Sequence, residues 1–208
     1  MQWQFPSQHD NIRQAFSHNG YQVEVRQKII QTLRTLGCKF KHCIDGGAHI
    51  GTWSVDLAKH FEWVHAFEPV PAVADCFRQN ITAPNVTLHN KGLGDRPGKI
   101  KFDYDPNNSG ATQANPAGNI DCDVITIDSL GIKDLDYIKL DCQGLEPEIL
   151  TGAVETMKAQ RPILHLEMKN IALITYNTDK RAFRQLIAGY GYRQVKKIVN
   201  EEIFIYDD

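Results

Sequence analysis

No apolar run in the 208 residues approaches the roughly 18–20 needed to span a bilayer. The start, Met1-Gln2-Trp3-Gln4-Phe5-Pro6, lacks the basic segment and apolar stretch of a secretory signal, so none is expected. There is no CxxC pair among Cys38, Cys43, Cys76, Cys122 and Cys142, and five is an odd number. That argues against a disulfide frame or a zinc site and for reduced thiols in a cytoplasmic protein. The triplets at Asn80, Asn85 and Asn107 that formally permit glycosylation therefore carry little weight. Nor is there an excess of positive charge: 23 Lys+Arg against 25 Asp+Glu gives a net charge of −2. Nucleic acid, whose binding leans on phosphate neutralisation, is not the expected partner. Repeats and low-complexity tracts are missing too, and the length suits one domain.

What is present is an alternation of strands and helices. Residues 1–20 are polar with scattered aromatics and read as a weakly defined arm, followed by a helix over Tyr21–Leu36. Residues 1–40 are expected to pack on the core, not to form a domain of their own. From 41 onward strands are predicted at His42–Asp45, Trp63–Phe67, Val86–His89, Tyr137–Leu140 and Ile163–Met168. Helices are predicted at Thr52–Phe61, Ala72–Asn80, Glu146–Ala159 and Asp179–Ala188. Lys99–Tyr104 and Asp123–Ile127 read as extra strands around a loop, Asn107–Asn119, rich in Asn, Gly and Pro. Gln194–Val199 and Glu202–Tyr206, joined by Asn200-Glu201, read as an antiparallel hairpin. The expected fold is α/β: a mostly parallel sheet with helices on both faces. Ligands on such sheets sit at the carboxyl ends of the strands.

The strongest motif stands there: Asp45-Gly46-Gly47-Ala48-His49-Ile50-Gly51, with Thr52 opening the next helix. Small residues let the backbone approach a ligand, and a helix start offers free N–H groups. The dinucleotide fingerprint GxGxxG does not fit, because Ala48 replaces its second glycine. An acid ending the strand suits an ammonium or sulfonium ligand better than a pyrophosphate. Glu68 ends the second strand and Pro69 fixes the turn; a carboxylate there can accept two ribose hydroxyls, in a nicotinamide cofactor or in S-adenosylmethionine.

With these blocks, Gly92-Leu93-Gly94-Asp95, Val124–Leu130 and Ile138-Lys139-Leu140-Asp141-Cys142-Gln143-Gly144 follow in order. Together they resemble the FkbM family of S-adenosylmethionine-dependent methyltransferases over about residues 41–170. The resemblance implies a class I methyltransferase fold over 41–208, with seven strands and an antiparallel strand at the end. It implies that Asp45, Gly46, Gly47, Ala48, His49, Gly51 and Thr52 hold the methionine end of the cofactor. Glu68 and Pro69 would hold the ribose, and Leu93, Gly94 and Asp95 the adenine. Asp141 and Gln143 would lie beside the methionine amine or the departing methyl. His49 stands where the family usually has Asn, and Gln143 where it often has Glu.

Methylating a hydroxyl needs a proton acceptor, and Asp141, Glu146 and Glu167 are the candidates. His165 shares a strand face with Glu167 but reads as a core histidine. The three acids match no metal-ligand spacing, and no metal is expected. Substrate contacts are expected from residues 1–40, the Asn107–Asn119 loop and Lys169–Thr178, with Asn107, Asn108, Ser109 and Thr112 suited to sugar hydroxyls. Six basic residues in 179–199 would steer an anion or simply face solvent. The resemblance implies O-methylation of a sugar, glycan or small natural product. The alternatives are a nicotinamide oxidoreductase, whose Tyr-x-x-x-Lys spacing occurs at Tyr176 and Lys180 but beyond the cofactor half, and a cofactor-binding domain without catalysis.

Overall fold

A computed structural model describes residues 3–16, 22–168 and 179–207. Helices α1 (Asn11–Phe16) and α2 (Val23–Thr35) precede β1 (His42–Gly46), α3 (Ser54–Leu57), β2 (Trp63–Phe67), α4 (Pro71–Asn80) and β3 (Val86–His89). Strands β4 (Gly92–Leu93), β5 (Gly98–Asp103), β6 (Gln113–Ala114) and β7 (Ile120–Ile125) come next. The chain closes with β8 (Leu135–Leu140), α5 (Glu146–Thr151), α6 (Val154–Gln160), β9 (Ile163–Glu167), α7 (Lys180–Gly189), β10 (Tyr192–Ile198) and β11 (Glu201–Tyr206).

Seven strands form one sheet in the order β10-β11-β9-β8-β1-β2-β3. Only β11 runs antiparallel to its neighbours, as expected from the sequence. The central strands are apolar on both faces because both are covered. Ile44, Ile138, Leu140 and Leu164 face Leu150, Phe183 and Ile187 of α5 and α7, while Cys43, Tyr137 and Ile163 face Ile29, Leu33 and Leu57 of α2 and α3. The two extra strands of the sequence reading belong to a second sheet, β4-β7-β5-β6. Its Leu93, Phe102 and Cys122 join the first of these cores. The strand order reverses between β1 and β8, which puts the crevice at their carboxyl ends.

Three elements differ from expectation, each for a packing reason. The helix expected over Glu146–Ala159 breaks into α5 and α6 at Gly152-Ala153. Gly152 lies so close to the neighbouring loop that a Cβ there would sit 2.1 Å from the Gly94 carbonyl oxygen. The Gly152 carbonyl in turn accepts from the Asp128 N–H at 3.0 Å. The helix expected over Thr52–Phe61 is regular only at Ser54–Leu57. The Asn85 side-chain amide takes the Ala58 and Phe61 carbonyls, each at 2.9 Å, and ends the helix in turns.

The arm is the third. It is ordered over 3–16, because Trp3, Phe5 and Phe16 pack on Ile50, Val70 and Val73. The Asn80 side chain pins it as well, accepting from the Gln4 N–H at 2.7 Å and donating to the Gln4 carbonyl at 3.0 Å. Among the described residues, no helix is long and apolar enough to cross a membrane.

Candidate active site

β1 delivers Asp45 and Gly46 to the carboxyl edge of the sheet, where Gly47 (φ +70°), His49 (φ +53°) and Gly51 (φ +98°) turn the chain into α3. Gly47 is obligatory on two counts: its left-handed backbone, and a Cβ position only 1.9 Å from the Asp141 carbonyl oxygen. The turn is therefore pressed against the end of β8. His49 holds a left-handed conformation that Asn, Asp and His adopt more readily than most residues.

A cleft with about 900 Å3 of empty volume, open to solvent, lies above this turn. Of the residues expected to hold a cofactor, Gly47, His49, Thr52, Glu68, Pro69, Leu93, Asp141 and Gln143 line it. Gly46, Ala48 and Gly51 shape the turn beneath without lining the cleft, and Gly94 abuts Val124 of β7. Asp95 is exposed and off the cleft.

Asp45 also lies below the lining. Fully buried, it accepts from Ser54 Oγ at 2.7 Å and pairs with Lys139 Nζ at 3.0 Å. Lys139 is itself buried, lies 3.5 Å from both the Gly46 and Gly47 carbonyls, and sits over the Trp53 ring at 5.6 Å. Desolvation pulls its pKa down, but Asp45 and Asp141 more than offset that and hold it above the usual lysine value. The ammonium is thus a fixed positive charge under the glycine turn. Sequence reasoning assigned Lys139 no role, yet a lysine inside the apolar strand Tyr137-Ile138-Lys139-Leu140 signals a buried anionic partner.

Glu68 leaves the end of β2 and binds two backbone donors, His49 N at 3.0 Å and Val70 N at 2.9 Å, one on each carboxylate oxygen. Each oxygen keeps a second lone pair for a ligand. Burial raises its pKa to about 7 despite these donors. Gln143 donates its amide to Asp141 Oδ1 at 3.2 Å, which a glutamate in its place could not do. Phe67, Gly92, Phe102, Leu145 and Ile149 supply apolar wall, and Ile12, Ser109, Gly110 and Thr112 close the cleft from above.

The other two candidate acids lie outside the lining. Glu146 turns back on its own loop, and its Oε1 accepts from the Cys142 N–H at 2.6 Å. Burial pushes its carboxyl up to about 7, against the pull of backbone donors at Cys142, Glu146 and Gly144. Glu167 is buried at the end of β9, opposite Glu201 of β11. His165 is fully buried between Tyr137 and Glu201, at 2.5 and 2.8 Å. Part of the basic stretch is paired: Arg184 grips Glu202 through two hydrogen bonds, and Arg193 meets Asp207 at 2.8 Å. Lys169–Thr178, with Tyr176, lies outside the described residues. No cluster of three metal-ligating side chains occurs among the described residues.

Residues 45–194 match the methyltransferase FkbM domain, nearly three-quarters of the chain. The chain belongs to the FkbM methyltransferase family. The FkbM methyltransferase of Methylobacillus flagellatus KT shares 20% identity and superposes with a TM-score of 0.57. It covers 81% of this chain, which spans only 44% of that protein. A TehB-like SAM-dependent methyltransferase from Corynebacterium glutamicum has 10% identity, a TM-score of 0.57 and 95% coverage of both chains. The N-methyltransferase NodS from Bradyrhizobium japonicum WM9, crystallised with S-adenosyl-L-homocysteine, has 9% identity, a TM-score of 0.54, and coverage of 96% and 92%. These likenesses are of fold. No curated protein matches the chain.

Replacing Lys139 of this FkbM domain by Met leaves Asp45 buried without its counter-charge. The variant should lose about 3–5 kcal/mol of stability in thermal or urea unfolding, and adding Asp45→Asn should recover part of the loss. Glu146 yields a pH-dependent expectation. Its folded pKa near 7 lies above the ordinary 4.5, so the folded chain keeps a proton that the unfolded chain releases as pH rises. Stability from this group is therefore present at low pH and lost between about 4.5 and 7. Glu146→Gln should gain about 2–3 kcal/mol relative to wild type on going from pH 5 to pH 8, read as the difference in unfolding free energy.

Proposed function

We propose that the chain transfers the methyl group of S-adenosylmethionine to a hydroxyl of a sugar, a glycan or a small natural product. The observation that carries this reading is Glu68. It is a buried carboxylate on the cleft wall, with lone pairs to spare, and it is hydrogen-bonded to the glycine turn at His49 N. The donor and acceptor set fits S-adenosylmethionine, whose ribose offers hydroxyls to Glu68 and whose adenine matches the apolar wall of Phe67, Leu93 and Ile149.

When bound, the cofactor supplies an electrophilic methyl on its sulfonium. The chain's task is to align an oxygen with that methyl and to take its proton. Gly47 lets the turn pack against the Asp141 backbone, and Lys139 keeps the Asp45 charge neutralised beneath it. Asp141 is the carboxylate on the cleft wall assigned to receive the hydroxyl proton, with the Gln143 amide orienting it. Glu146 holds the loop that carries Asp141, and Glu167, on the same sheet edge, is assigned to the acceptor side.

Thermal unfolding with S-adenosylhomocysteine and, separately, with NAD tests the cofactor. Ligand at ~100 times its dissociation constant adds about 2.7 kcal/mol, a shift of roughly 5–10 °C for this length. The expected result is a shift with S-adenosylhomocysteine alone; a shift with NAD alone overturns the reading. Asp141→Asn should retain the shift, while transfer of labelled methyl to a panel of sugars and polyols falls by about 10²–10⁴.

A further inference from the structure

Three segments far apart in sequence meet over the cleft. The arm and the Asn107–Asn119 loop are bound to each other: Ser7 Oγ donates to Asn107 Oδ1 at 2.8 Å, and Asn11 N donates to the Asn107 carbonyl at 2.9 Å. Together they form a roof. The glycine turn is the floor, and a side-chain hydrogen bond from His49 Nε2 to Ser109 Oγ, at 2.7 Å, joins floor to roof.

The directions of the bonds in this chain follow from chemistry. Asp10, buried, accepts from Ser109 Oγ, because a carboxylate has no proton to give. Ser109 has then spent its single proton and can only accept from His49, so Nε2 carries the ring's hydrogen. Desolvation pulls the His49 pKa down to about 4, so the ring is neutral near pH 7. Nδ1 is consequently a bare lone pair. It is buried, lacks a hydrogen-bond partner among the described residues, and belongs to a residue that lines the cleft. Buried acceptors in folded proteins are almost always satisfied.

We propose that His49 is the residue that reads the cleft's occupant: Nδ1 accepts a hydrogen bond from the ligand, while Nε2–H, Ser109 and Asp10 fasten the roof over it. This rests on the cofactor reading above, since S-adenosylmethionine presents an ammonium and ribose hydroxyls as donors. His49 acts as a positioning residue. The neutral ring suits a cationic ligand, because an imidazolium at this place would repel a sulfonium and offer no acceptor.

Two substitutions separate the atoms of the ring. His49→Gln keeps a donor long enough to reach Ser109 but loses the acceptor at the δ position. His49→Asn keeps a δ acceptor but cannot reach Ser109. Ser109→Ala cuts the link and leaves the imidazole in place. Binding of S-adenosylhomocysteine by calorimetry and hydrogen exchange of residues 3–16 are read on the wild type and all three variants.

In the wild type, ligand should slow exchange of the arm. His49→Gln should weaken binding about five- to tenfold, the worth of one hydrogen bond, with the unliganded arm as protected as in wild type. Ser109→Ala and His49→Asn should speed arm exchange without ligand, and ligand should no longer restore it fully. Wild-type affinity in His49→Gln, or arm exchange in the wild type indifferent to ligand, overturns the proposal. If the wild type binds no S-adenosylhomocysteine, the cofactor reading fails. The floor-to-roof link is then judged on unliganded exchange alone: faster in Ser109→Ala supports it, unchanged removes it.

Discussion

A single ion pair organises the carboxyl edge of this sheet. Lys139 and Asp45 come from adjacent parallel strands, in register with each other, and both are buried. Neither charge is tolerable alone in that environment, so each fixes the other, and the pair fixes the strand ends that carry them. Lys139 also lies beside the Gly46 and Gly47 carbonyls, so the turn is held from below. The contact of Gly47 with the Asp141 backbone then sets the distance between the two loops that line the cleft. The acid at the strand end thus serves the turn and does not line the cleft.

The carboxylates at this edge are sorted by what they bind. Asp45 spends its charge on Lys139 and Ser54, and Glu146 on the backbone of its own loop. Glu68 straddles two roles, because its two backbone donors, at His49 and Val70, leave capacity for a ligand. Asp141 stands on the wall with an amide donor beside it. Burial raises the pKa of Glu68 and of Glu146 to about 7, because the donors they meet are neutral N–H groups that only partly replace water. Where a full positive charge is present, as beneath the turn, it is the lysine that shifts upward.

Much of the fold is legible in the residues. The strand spans Trp63–Phe67 and Val86–His89 match the expectation residue for residue, because alternation and flanking turn residues mark them locally. The helix at 146–159 was not legible as two pieces. Nothing in its own sequence distinguishes a tolerated glycine from one on which another loop rests, as Gly94 rests on Gly152. The arm was misjudged for a related reason: its three aromatics are scattered, and their common target is assembled from residues 50, 70 and 73.

The sequence by itself determined the fold class, the glycine turn, the acid after β2 and the family, all of which are carried by short contiguous blocks with their own spacing. Only the tertiary structure decided which acids face the cleft, that Lys139 neutralises Asp45, and that Asp10, His49 and Ser109 form one hydrogen-bonded chain. The reason is physical. Burial and hydrogen-bond direction depend on which distant segments pack together, and residues 60 and 99 positions apart carry no local signal of their meeting.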